Sequence, residues 1–100
     1  MKIVVTVPTY NEAENIEALV AAILEQDRRI EVVVADDSSP DGTADLVRKL
    51  AIASVRVQLL PRKTDRGRGR AGRDAFVKAL AMGGDLIFEM DADFSHDPRH

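Results

Sequence analysis

The amino-acid sequence predicts an α/β domain, a parallel sheet of about four strands with helices on both faces. Three observations carry that prediction. Short apolar, β-branched runs alternate with stretches of helical periodicity. Polar or glycine-bearing turns separate them. The order β-α-β-α-β-α-β calls for parallel strands joined by right-handed crossovers.

Ile3 to Val7 is apolar almost throughout, as a strand covered on both faces should be. Pro8 ends it. Asn11 followed three residues later by Glu14 has the form of a capping box. Ile16, Leu19, Val20 and Ile23 then recur at helical spacing and form one apolar stripe. Ile30 to Ala35 reads as a second buried strand. Ser39 and Pro40 supply an N-cap and a first-turn proline for a helix that turns Ala44, Val47, Leu50 and Ala51 inward. Val55, Val57 and Leu59 alternate with Arg56 and Gln58, giving a third strand with one wetter face. A Gly- and Arg-rich loop leads to a helix that buries Ala75, Phe76, Ala79 and Leu80. Gly83-Gly84 stops that helix, because glycine takes the left-handed cap conformation without a Cβ clash. Asp85 to Met90 is the fourth strand. In a sheet this small its edge strands would lack cover.

One hundred residues suffice for one small domain or for part of a larger one. The apolar fraction of 45% and charged fraction of 31% are those of an ordinary globular protein. With no cysteine, disulfides and thiolate metal sites are excluded, which fits a reducing compartment. No run approaches the roughly 18 apolar residues of a membrane span. Met1 to Val5 is too short for a signal-peptide core. A soluble, cytoplasmic chain is expected. The net charge of −3 argues against nucleic acid as a partner, although six of the fourteen basic residues cluster between Arg62 and Arg73.

The polar motifs all follow strands. Residues 8–12, 36–41 and 91–97 converge on the carboxyl edge of the sheet, where open α/β sheets bind ligands. In Asp91-Ala92-Asp93 alternate residues point the same way, so both carboxylates face one cation. Small Ala92 lets a ligand approach the backbone. Hard oxygen donors suit Mg²⁺ or Mn²⁺ held against substrate phosphates. An isolated pair of this kind is more often a strand-end turn than a metal site; its place facing two other polar strand ends reverses that balance. Asp36-Asp37 offers a carboxylate to ribose hydroxyls or a base N–H, the competing role being a helix cap. Tyr10, the only tyrosine, stands where a base would stack, and Glu12 falls in a first helical turn. Arg66-Gly67-Arg68-Gly69-Arg70 is either a diphosphate cradle or a solvated surface loop. Gly67-x-Gly69-x-x-Gly72 spells only part of a dinucleotide-binding fingerprint, after the third strand instead of the first. His96 and His100 read as loop residues.

Taken together, Val7-Pro8-Thr9-Tyr10-Asn11-Glu12-Ala13-Glu14-Asn15, Asp36-Asp37-Ser38-Ser39-Pro40-Asp41-Gly42-Thr43 and Met90-Asp91-Ala92-Asp93-Phe94-Ser95-His96-Asp97-Pro98 resemble the dolichol-phosphate (polyprenol-phosphate) mannosyltransferases among the family-2 glycosyltransferases. The resemblance runs in order along essentially the whole chain. It implies a Rossmann-like GT-A fold and an inverting transfer of mannose from GDP-mannose to a polyprenyl or dolichyl phosphate at a membrane surface. By matching positions, Pro8, Tyr10 and Glu12 line the nucleotide pocket, and Ala35 and Asp37 contact guanosine. Asp91 and Asp93 are the catalytic pair that holds Mg²⁺ or Mn²⁺, and Ala92 meets the donor through its backbone. Ser95 stands where some members supply a further metal ligand.

The family's loop usually reads Gly-Leu-Gly-Thr-Ala-aromatic-Arg-x-Gly. Here Gly67-Arg68-Gly69-Arg70-Ala71-Gly72-Arg73 replaces an apolar and a small polar residue with arginines and keeps only Arg73 as a donor contact. Family members also run on well past the metal motif. Residues 1–100 are therefore expected to be the N-terminal donor-binding part of the GT-A domain, inactive by themselves and, in the longer protein, peripheral at the cytoplasmic membrane face. A family-2 transferase using UDP-glucose or another nucleotide sugar, and a non-catalytic nucleotide-binding fragment that needs a partner, are the competing readings. A flavodoxin-like signalling domain fits less well, because the Pro-Thr-Tyr-Asn-Glu run has no place in it.

Overall fold

A computed structural model describes residues 1–9, 13–36, 42–61 and 68–90, with the backbone alone for 61 and 68–72. Its elements are β1 (Ile3–Thr9), α1 (Ile16–Gln26), β2 (Ile30–Asp36), α2 (Thr43–Ala53), β3 (Val57–Pro61), α3 (Arg68–Ala81) and β4 (Leu86–Glu89). The strands form one parallel sheet in the order β3-β2-β1-β4. The α/β class read from the sequence is thus the one observed.

The sheet order dictates where the helices go. From β1 the chain steps outward to β2 and β3, then returns past β1 to β4. Because parallel crossovers keep one hand, the reversal puts α3 on the face opposite α1 and α2. The core is divided accordingly. Val5, Val7, Val32 and Val34 pack with Ile16, Leu19, Val20, Ile23 and Val47 on one face. Val4 and Val33 meet Ala79 on the other, and Ala35 meets Ala75. β1 and β2 are covered on both sides, which accounts for their largely apolar sequences.

Several local expectations are corrected. Helix α1 begins at Ile16, with Asn15 preceding it and making no side-chain cap bond. Glu14 therefore lies in the turn before the helix and not in its first turn; Asn11 is outside the described residues. Helix α2 opens at Thr43 after Gly42, whose φ of 89° is left-handed, so the helix starts later than Ser39-Pro40 implies. Val55 is 91% exposed in the turn before β3, where Val57 N–H bonds to Ser54 O instead of joining the strand sooner.

The largest correction concerns α3. Arg68 to Gly72, read as a loop, form its first turns. Gly69 and Gly72 each weaken a helix by about 1 kcal/mol relative to alanine, a cost that tertiary packing readily overrides. That packing comes from Ala75 and Ala79, both fully buried, whose small side chains seat the helix closely on the sheet. Phe76 and Leu80 lie one residue further on, about 100° around the helix. They are consequently 49% and 54% exposed, not buried as expected. The helix does stop at the glycine pair: Gly83 has φ 81°, and Gly83 and Gly84 N–H bond to Leu80 and Ala79 carbonyls.

The fourth strand is Leu86–Glu89, one residue shorter at each end than predicted, although Asp85 and Met90 still donate to the carbonyls of Lys2, just before β1, and of Thr6 within it. Among the described residues it pairs on one side only, with β1. Phe88 is 55% exposed on it, in line with an uncovered edge.

Candidate functional site

The carboxyl ends of β1 and β2 lie side by side in exact register, Pro8 opposite Ala35 and Thr9 opposite Asp36. Alternation sends the first pair to the α3 face and the second to the α1–α2 face. Where the sequence suggests that Pro8 ends the strand, β1 continues through it to Thr9. The Lys2 and Thr6 carbonyls accept from Asp85 and Met90 N–H at 2.8 and 2.9 Å, so even-numbered residues of β1 face β4. Pro8 stands beyond the last β1–β4 pair, Thr6 with Glu89, where its missing N–H breaks no ladder bond.

Ala35 is buried under Ala75, with Leu60 packed alongside. Its side chain is taken up by packing, which leaves only its backbone for a ligand. Thr9 and Asp36 are 3% and 1% exposed, and the Thr9 hydroxyl donates to Asp36 Oδ1 at 2.8 Å. Arg73 is exposed on α3, a turn and a half from its start. Because α3 follows β3 and runs back along the sheet, that start lies at the same carboxyl rim.

Tyr10, Glu12, Asp37, Asp91, Ala92, Asp93 and Ser95 lie outside the described residues. Their points of departure are nevertheless described. Tyr10 follows Thr9 at the end of β1, Asp37 follows Asp36 at the end of β2, and Asp91 follows Met90, whose N–H is bonded to Thr6 of β1. The three strands are neighbours in the order β2-β1-β4. All three motifs thus leave one edge of the sheet from adjacent strands, at the change of direction in strand order. As residue types, Asp91, Asp93 and Ser95 offer oxygen donors alone, the chemistry that would suit a hard divalent cation such as Mg²⁺ or Mn²⁺.

The Thr9–Asp36 pair escapes a reading of the motifs alone. Its signal is in the alternation: Thr9 is two residues after Val7, and Asp36 two after Val34. Polar residues therefore replace valines on one face of two strands at the same level.

A family model described as glycosyl transferase family 2 matches residues 4–100. The chain is 40% identical over 95 residues to a polyprenol monophosphomannose synthase of Mycolicibacterium smegmatis, covering 94% of this chain and 36% of that protein. Among solved structures it resembles the mannosyltransferase PcManGT from Pyrobaculum calidifontis in complex with GDP-Man and Mn²⁺. The TM-score is 0.72 at 37% identity, over 92% of this chain and 27% of that one. It likewise resembles residues 1–349 of S. aureus TarS in complex with UDP, with a TM-score of 0.73 at 31% identity, over 93% of this chain and 28% of the other. The chain therefore spans roughly a third of the length of these relatives.

Proposed function

Because the chain belongs to glycosyl transferase family 2, we propose that it is the donor-binding part of a mannosyltransferase that uses GDP-mannose and a polyprenyl phosphate. The fold is of the GT-A type. One observation carries the reading: β2, β1 and β4 are adjacent and parallel, and each leads at the same end into one of the three polar motifs. The mannosyltransferase relatives supply the sugar and the acceptor class.

In this reading Pro8 and the Ala35 backbone form the floor of the nucleotide site, Tyr10, Glu12 and Asp37 surround the nucleoside, and Arg73 approaches the donor from α3. Asp91 and Asp93, with Ser95 as a further oxygen donor, hold Mg²⁺ or Mn²⁺ and Ala92 presents its backbone. The cation supplies positive charge against the donor diphosphate. A phosphate oxygen of the lipid attacks the mannose anomeric carbon, the bond to the diphosphate oxygen breaks, and GDP departs with the electron pair. Attack opposite the leaving group inverts the centre. The acceptor phosphate is anionic near neutral pH, so no strong protein base is required. The acceptor places the full-length enzyme at the cytoplasmic membrane face; among the described residues no helix is long and apolar enough to cross a membrane.

Calorimetric titration of GDP-mannose, with and without Mn²⁺, tests the site directly. Metal-dependent binding is expected, and Asp93→Ala is expected to abolish its metal-dependent part. Unchanged binding by that variant overturns the metal assignment. The likeness to TarS bound to UDP, at a TM-score of 0.73 against 0.72, favours a second reading in which the donor is a UDP-sugar. Tighter binding of UDP-glucose than of GDP-mannose selects it.

A further inference from the structure

Between the two donor segments sits a buried polar pair to which nothing above gives a role. The Thr9 hydroxyl donates to Asp36 Oδ1 at 2.8 Å, between residues that face each other across β1 and β2. Both side chains are almost completely buried. Burying a carboxyl group at the end of an otherwise apolar strand face is costly for stability, and a valine at either position would continue the packing of Val7 and Val34. A polar pair in such a place specifies geometry more than it adds stability. What it specifies follows from its location. Thr9 is the residue immediately before Tyr10, and Asp36 the one immediately before Asp37.

We propose that Thr9 and Asp36 are positioning residues for the donor site: their hydrogen bond locks the last residues of β1 and β2 in register, and so sets where the Tyr10–Glu12 and Asp37 segments leave the sheet. The inference rests on the donor reading given above. The pair touches no substrate itself. It acts through the two residues that follow it, as supporting hydrogen bonds commonly do for groups that bind a ligand.

The test compares the parent chain with Thr9→Val, which keeps the shape and removes the donor, and Thr9→Ser, which restores the hydroxyl. Thr9→Ala is a second disrupting variant that leaves room for water at Asp36 should the valine variant fold poorly. Val47→Ala, a buried truncation in the same apolar cluster that leaves the Thr9 hydroxyl and the Asp36 carboxyl in place, serves as a control for general destabilisation. GDP-mannose binding with Mn²⁺ is measured by calorimetry at a temperature where each variant is folded. The expected result is about a tenfold loss of affinity in Thr9→Val or Thr9→Ala, comparable to what losing a supporting hydrogen bond behind ligand-binding groups costs. Thr9→Ser should restore affinity, and Val47→Ala should leave it unchanged. Parent-like affinity in the folded disrupting variants overturns the positioning role while leaving the donor reading intact. An equal loss in Val47→Ala also overturns it, by assigning the effect to stability. If the parent chain binds neither GDP-mannose nor a UDP-sugar, the donor reading fails and the positioning role fails with it.

Discussion

Arg56 is the residue on which the end of the sheet opposite the site depends. Its guanidinium donates to the carbonyls of Leu24, Asp27 and Ile30 at 3.1, 2.8 and 2.9 Å. It thereby satisfies the Leu24 carbonyl near the end of α1 and gives the Asp27 carbonyl, which also accepts from Ile30 N–H, a second donor. The Asp27 carboxyl in the same turn bonds the Arg29 side chain, which holds it well below the usual carboxylate range. Arg56→Ala removes all three bonds at a part-buried site and should lower stability by about 2–3 kcal/mol, measured by urea denaturation. Arg56→Lys should recover only part of that, because an ammonium lacks the planar fork. A loss under about 0.5 kcal/mol, the scale of ordinary surface substitutions, would count against this account.

At the scale of elements, α3 shows which packing decides. It is seated by two alanines, with Ala79 against Val4 and Val33 and Ala75 against Ala35. Larger apolar side chains on the same helix, Phe76 and Leu80, remain half exposed. Close approach by small residues therefore sets how near to the sheet α3, and with it Arg73, lies. Ala79→Leu should push the helix away from the sheet and cost about 1–3 kcal/mol of stability, the usual range for overpacking. Thermal unfolding followed by circular dichroism checks it. An unchanged midpoint would mean that the helix does not depend on this contact.

At the scale of the whole molecule, β4 is paired on one side only among the described residues, with Leu86 and Phe88 exposed on it. The chain spans 36% of the Mycolicibacterium smegmatis relative's length. A polypeptide of residues 1–100 alone is accordingly expected to bind the donor but to transfer no mannose to a polyprenyl phosphate. An assay with radiolabelled GDP-mannose measures this, and lipid-linked product formed at ordinary turnover contradicts it.

The sequence by itself determined the order and type of the elements. Residues such as Ile16, Leu19, Val20 and Ile23 carry their periodicity openly, and β1 and β2 read as buried because both of their faces are apolar. It also pointed to the carboxyl ends of the strands as the place for a site, since the segments from Tyr10, Asp37 and Asp91 each come after a strand in the sequence. Boundaries were less legible: by local propensity the glycines at 69 and 72 signal a loop, which packing overrode in α3, and Ser39-Pro40 signals a helix start, whereas α2 opens at Thr43. Only the tertiary structure decided that Ala75 and Ala79, not Phe76 and Leu80, face the sheet, because the choice depends on the distance between helix and strands. Only it joined Thr9 to Asp36, across 27 residues of chain. That bond requires the register of two strands, which local patterning cannot supply.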